Sequence, residues 1–155
     1  MNSTGPQREG HVIANGRYKL LRPLGKGTFG DVYLAESLYP AFTGGEKESV
    51  IKILHPQWAG VPEVLERFKR ESQVTQKIEH PHVARIFEHS QLEDGVPFLA
   101  MEYLPGISLR DRIEKGPIPP PVAYGILAAI AEALGAAHRA GVVSLPRFAA
   151  GLTPR

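Results

Sequence analysis

The stretch Gly25-Lys26-Gly27-Thr28-Phe29-Gly30-Asp31-Val32-Tyr33-Leu34-Ala35 decides the fold. It opens with three glycines spaced G-x-G-x-x-G. Glycines let backbone N–H groups approach an anion with no side chain in the way. The dinucleotide-binding form of this pattern needs a helix directly after the glycines. Here Val32, Tyr33 and Leu34 follow, and residues of that kind read as a strand. Upstream, Tyr18-Lys19-Leu20-Leu21-Arg22-Pro23-Leu24 reads as another strand, with Pro23 marking an edge or a bulge. The glycines therefore join two antiparallel strands. Taken alone, the pattern also suits an ordinary glycine-rich hairpin.

Working outward, Glu48-Ser49-Val50-Ile51-Lys52-Ile53-Leu54 is a third strand, apolar on both faces except at Lys52. Residues 39–47, with Pro40, Gly44 and Gly45, form a long connection before it. Val83–Phe87 and Val96–Tyr103 complete an expected five-stranded antiparallel sheet. Pro62 opens a helix whose stripe is Val64, Phe68, Thr75 and Ile78, and Pro81 ends it. Ser108-Leu109-Arg110-Asp111 caps a short helix to Lys115. A long helix runs from about Pro121 to Ala140, with Val122, Ile126, Ile130, Leu134 and Ala137 on one face and Gly141 past its end. The expected class is α+β: a sheet with one packed helix, followed by a short and a long helix.

Composition narrows the function. The chain has 155 residues, 43% apolar and 22% charged, which suits a soluble globular protein. Lys and Arg number 18 and Asp and Glu 16, a net charge of +2, too balanced to predict a nucleic-acid or membrane surface. With no cysteine, disulfide scaffolds, thiolate nucleophiles and zinc–thiolate sites are excluded, and a cytoplasmic location is expected. No secretory signal is read in residues 1–15. The apolar run Val122–Val143 is broken by Glu132, His138 and Arg139, so a buried helix is expected rather than a membrane span.

Two charges stand out. Lys52 sits between Val50-Ile51 and Ile53-Leu54, where an ammonium is costly unless an anion meets it or its stem reaches water. Glu71 falls in register with residues 64, 68, 75 and 78, spacings of four, three, four and three. That register places it on the packed face, where it needs a cation, and Lys52 is the natural one. Alternatively it lies at the helix border, solvated or paired with Arg67. His80 and His82 read as turn residues, because no third metal ligand is apparent.

Together, the glycines followed by Val32, then Val50-Ile51-Lys52, then an inward Glu71 resemble the nucleotide lobe of protein kinases. Arg70-Glu71 before His80-Pro81-His82-Val83 fits that family, as does Met101-Glu102-Tyr103-Leu104 as its gatekeeper and hinge. Pro105-Gly106-Ile107-Ser108-Leu109 is similar to the start of the short helix after the hinge. By appearance the nearest relatives are bacterial serine/threonine kinases of the eukaryotic type. The resemblance spans about 18–143. It implies an ATP-binding lobe at 17–104, part of the second lobe at 105–143 and a non-matching tail at 144–155, while the polar, Gly- and Pro-bearing composition of 1–16 reads as a flexible arm.

The resemblance also implies site roles. Gly25, Lys26, Gly27, Thr28, Phe29 and Gly30 would cover the ATP phosphates. Lys52 would meet the α- and β-phosphates and pair with Glu71. Leu24, Val32 and Val50 would pack on the adenine, with Met101 behind it. The Glu102 carbonyl and the Leu104 N–H would bond its edge. Val50 replaces the alanine usual there. Magnesium would accompany ATP.

After Val143 the family pattern calls for H-R-D-x-K-x-x-N, and the sequence has Ser144-Leu145-Pro146-Arg147 instead. His138-Arg139 is not that motif, since no Asp follows. Without the Asp, the Asn and the D-F-G segment, no catalytic or metal-binding residue is assigned, and no phosphate transfer by this chain alone is expected. The expectation is a truncated serine/threonine kinase-like domain that keeps the ATP lobe. The Ala, Arg, Pro, Gly and Leu bias of 144–155 suits out-of-frame reading of GC-rich DNA. The alternative is a pseudokinase-like regulatory module with a protein partner on the helix 121–140. A third reading is an interaction domain with a chance pattern.

Overall fold

The computed structural model describes residues 8–141, without the side chains of Glu71, Val74 and Thr75. Expectations that fall on residues 142–155 lie outside the described residues. The chain divides into two compact units. One runs to Ser72 and takes up Ile86–Tyr103; the other holds Gln73–Arg85 and the chain from Leu104 onward.

The first unit is a six-stranded antiparallel sheet. Its strands are β1 (Val12–Ile13), β2 (Tyr18–Lys26), β3 (Gly30–Ser37), β4 (Glu48–Leu54), β5 (Ile86–Gln91) and β6 (Pro97–Glu102), in the order β1-β2-β3-β4-β6-β5. Five strands were expected, and the sixth, β1, lies in the stretch that composition assigned to an arm. It pairs with β2 through Ile13 and Tyr18, and both side chains are buried. Ala14, Asn15 and Gly16 all take positive φ, which turns the chain sharply enough for this pairing. The backbone N–H of Asn15 donates to Glu93, tying the turn to the β5–β6 loop.

The strand expected at Val83–Phe87 starts later, at Ile86. Residues 81–83 turn instead, closed by the Val83 N–H donating to the His80 carbonyl at 3.0 Å. Helix α1 (Pro62–Thr75) ends short of Pro81. Ile78 thus leaves the expected stripe. Among the described side chains of α1, Phe68 and Ser72 are buried, one turn apart, and Ser72 Oγ donates to the Lys69 carbonyl at 2.7 Å.

The core of this unit gathers Tyr18, Leu20, Tyr33, Ile51, Ile53, Phe68, Phe98 and Ala100. Strand register explains part of this set, although Leu54 and Leu99, on the Lys52 side of their strands, are buried with it. Tyr33, Ile51 and Ala100 pair across β3, β4 and β6, and Ile53 pairs with Phe98. Side chains alternate along a strand, so Val32, Leu34, Val50 and Lys52 take the opposite face.

The second unit carries α2 (Leu109–Glu114) and α3 (Pro120–Arg139). Ser108 and Asp111 form a reciprocal capping box on α2, with Ser108 Oγ accepting from the Asp111 N–H at 3.1 Å. On α3 the expected stripe is only partly covered: Ala137 is buried, Ile126, Ile130 and Leu134 are half-buried, and Ala133 is buried beside the stripe. Ala133 and Ala137 are buried against Ile78 and Val83, while Val122 is 46% exposed. Small alanines let the backbone come close. By length and composition α3 could cross a membrane. It is not the buried helix expected, since Tyr124 and Leu127 are 76% and 64% exposed.

Candidate functional site

The glycine-rich hairpin forms because β2 and β3 zip together up to its tip. Gly25 pairs with Val32 and Lys26 with Asp31, and the Gly27 N–H donates to the Gly30 carbonyl at 2.9 Å. The register slips between Pro23 and Gly25, so Leu24 is an extra residue in a bulge and stays 38% exposed. Bulges of this kind re-aim side chains next to binding sites. Lys26, Thr28 and Phe29 are exposed at the tip.

The glycines do different work. A Cβ on Gly25 would meet nothing within 4 Å, so this position leaves open space on the hairpin. A Cβ on Gly30 would stand 2.2 Å from the Ile53 carbonyl oxygen, so glycine here lets β3 approach β4. Gly27 is intermediate, with the Gly30 carbonyl at 3.1 Å.

Below the hairpin, register assembles the expected side chains on one sheet face. Val32, Lys52 and Leu99 form one row across β3, β4 and β6, and Leu34, Val50 and Met101 form the next. Val32, Val50, Lys52 and Met101 are all half-buried. Apolar side chains thus flank a single ammonium. Phe68 of α1 brings its ring within 5.6 Å of Lys52 Nζ, and β5 adds His89, in register with Leu99 and 5.6 Å from the same ring. Burial, and then the charge of Lys69, hold the His89 imidazole below its usual value, favouring the neutral ring.

Glu71 lies on α1, three residues beyond Phe68. Its side chain is outside the described residues. Glu102 ends β6 and is half-buried; Leu104 belongs to the second unit. Among the described residues, no group of three or more His, Asp and Glu side chains is arranged to hold a metal ion. His80 and His82 face each other, their ring centres 5.5 Å apart, with His82 Nε2 3.6 Å from Glu132.

Sequence reasoning missed the segment that follows β4. The His55 N–H donates to the Phe29 carbonyl at 2.8 Å, and the Trp58 indole N–H donates to the Thr28 carbonyl at 3.2 Å. Phe29 and Trp58 meet edge to face, 5.5 Å between centres. His55 Nε2 also lies 3.1 Å from Asp31 Oδ1, next to Gly30. The available signal was modest: the chain's single tryptophan, four residues after a strand end.

Comparison with known proteins agrees with this geometry. The family described as "Protein kinase domain" matches residues 18–144, and the chain belongs to the protein kinase family. It is 39% identical over 132 residues to the serine/threonine-protein kinase pkn2 of Myxococcus xanthus, covering 85% of this chain and 15% of that protein. It is 35% identical over 130 residues to the serine/threonine-protein kinase PrkC of Bacillus subtilis, covering 83% of this chain and 19% of that one. The chain therefore spans less than a fifth of either relative. Among solved structures, the kinase domain of PknI from Mycobacterium tuberculosis matches with a TM-score of 0.69 at 29% identity, over 86% of this chain and 51% of that one.

Proposed function

We propose that this chain is the ATP-binding part of a bacterial-type serine/threonine protein kinase domain, with the start of its second lobe, and that these 155 residues do not transfer phosphate by themselves. The observation that carries the reading is the row Val32–Lys52 beside the glycine hairpin, on the same sheet face as Val50 and Met101. This set fits an adenine nucleotide: apolar walls for a base and one ammonium for phosphates. The open space at Gly25 adds a backbone that a phosphate can approach.

In this reading Gly25, Gly27 and Gly30 cover the phosphates, while Lys52 meets the α- and β-phosphates and is steadied by Glu71. Leu24, Val32 and Val50 hold the adenine in front of Met101, and the backbone of Glu102 bonds its edge. Magnesium, if carried in on the nucleotide, would supply charge neutralisation at the phosphates, with no residue of this chain assigned to hold it. No residue is assigned to orient a nucleophile, so positioned phosphoryl transfer has no agent in this chain.

Calorimetric titration with ATP and magnesium tests the binding. We expect saturable heat for the wild type and at least a tenfold weaker Kd for Lys52→Ala. No heat in the wild type overturns the reading. Transfer of labelled phosphate that Lys52→Ala abolishes overturns the predicted incompetence.

A second reading, a regulatory module with a protein partner, is favoured by the exposed Val122, Tyr124 and Leu127 on α3. Leu127→Asp should then abolish association while leaving ATP binding intact.

A further inference from the structure

We propose that Trp58 is a positioning residue, one that fixes the tip of the glycine-rich hairpin in the arrangement a nucleoside triphosphate requires. This rests on the nucleotide-binding reading above. Thr28 and Phe29 stand between two glycine-bearing strand ends, and the hairpin itself closes with a Gly27–Gly30 bond. A tip of this kind samples many backbone states, and ordering each residue costs about 1–2 kcal/mol. Any anchor that removes such freedom beforehand favours binding.

The segment after β4 supplies that anchor from a rigid base. Pro56–Trp58 forms a single 3-10 turn with proline at its start, closed by the Trp58 N–H donating to the His55 carbonyl at 2.9 Å. The Val61 N–H then donates to the Trp58 carbonyl at 3.1 Å, leading directly into α1. Trp58 is partly buried and packs against the main core. From this base the indole N–H holds the Thr28 carbonyl and the indole ring meets the Phe29 ring. The Arg67 guanidinium, from α1, lies 5.9 Å from that same Phe29 ring. The His55 backbone bond is indifferent to side-chain identity. The His55 side chain meets Asp31 beyond Gly30, so Trp58 is the side chain that bonds the Thr28–Phe29 tip itself.

The chain has one tryptophan, so its emission reports this contact alone. Wild type, Trp58→Phe and Trp58→Ala, each as the full chain, are titrated with ATP and magnesium by calorimetry, and the wild type also by emission. We expect emission to change with the same midpoint as the heat. Trp58→Phe, which keeps a ring but loses the donor, should weaken Kd about threefold to tenfold, the worth of one hydrogen bond. Without nucleotide, hydrogen exchange at residues 27–30 should speed up in Trp58→Phe while that of β6 is unchanged. Heat of binding without an emission change, with Trp58→Phe within twofold of wild type, overturns the proposal and leaves the nucleotide reading standing. Absent heat in the wild type overturns that reading, and unaltered exchange at 27–30 overturns the anchoring itself.

Discussion

The ammonium of Lys52 stands 5.6 Å from the centre of the Phe68 ring, and the His89 ring lies 5.6 Å from the same centre. Lys52, Leu99 and His89 belong to one row across β4, β6 and β5. One aromatic side chain of α1 thus meets a row that carries both a cation and an imidazole. The ring offers its negative face to the ammonium and its apolar body to the core, so the same residue seats the helix and steadies the lysine.

Phe68 should therefore be felt in two ways. Phe68→Ala removes a buried ring and should cost about 3–5 kcal/mol in urea denaturation. Phe68→Leu keeps most of the volume and should cost about 1 kcal/mol, yet it deletes the π face next to Lys52. In the folded Phe68→Leu protein we expect ATP to bind about two- to fivefold more weakly, a loss on the scale of one cation–π contact. Equal ATP affinity in that variant would show that volume alone matters.

The glycines of the hairpin should separate by substitution. Gly30→Ala drives a methyl group into the Ile53 carbonyl, a rigid backbone neighbour at 2.2 Å, so β3 and β4 must part. We expect a loss of about 1–3 kcal/mol or failure to fold. Gly25→Ala meets open space and should shift stability by no more than about 0.5 kcal/mol. It should nevertheless reduce ATP affinity, since its methyl group occupies the space left for a phosphate. Thermal denaturation of both variants, followed by nucleotide titration of Gly25→Ala, checks the two halves.

Much of this was legible because it depends on alternation and spacing. The short run around Lys52, apolar on both faces, read as β4, and the aromatic and β-branched residues after Gly30 decided strand against helix. What escaped was set by tertiary context. Residues 8–16 look polar and loose, yet Ile13 and Ala14 are buried because three consecutive positive-φ residues fold them back on β2. On α3 the apolar stripe starts at Val122. Burial deepens only toward the helix's C-terminal end, at Ala133 and Ala137, whose small side chains admit Ile78 and Val83. The tie from Trp58 to Thr28 runs to a backbone carbonyl, and no side-chain pattern advertises a carbonyl.

His89 should make the protein sensitive to mild acid. Its folded-state value lies below the usual 6.5, through burial first and the Lys69 charge second. The unfolded chain then takes up the proton at higher pH than the folded one. Stability is fully present above about pH 6.5 and falls as pH drops below it. Replacing His89 with Gln, which cannot titrate, should flatten this part of the urea midpoint against pH. An unchanged slope between pH 7.5 and 5.5 would assign the acid sensitivity elsewhere.

Tyr18 should govern the alkaline limb. Its ring is buried edge-on to Phe98, and its hydroxyl donates to Glu88 Oε2 at 3.1 Å, while Arg17 holds Glu88 Oε1 at 2.8 Å. Burial, and next the Glu88 charge, push the phenol well above its usual value of about 10. Above that pH the unfolded chain releases a proton that the folded one keeps, so stability drops as pH rises. Tyr33 is raised too, by burial and then by Asp31, and contributes its own part. Tyr18→Phe should cost about 1 kcal/mol at pH 7.5, because Glu88 keeps Arg17 as its partner. Between pH 10 and 11 its deficit should shrink, since only the wild type still loses stability at this position. A deficit that stays constant across that window would mean that the phenol ionises equally in both states.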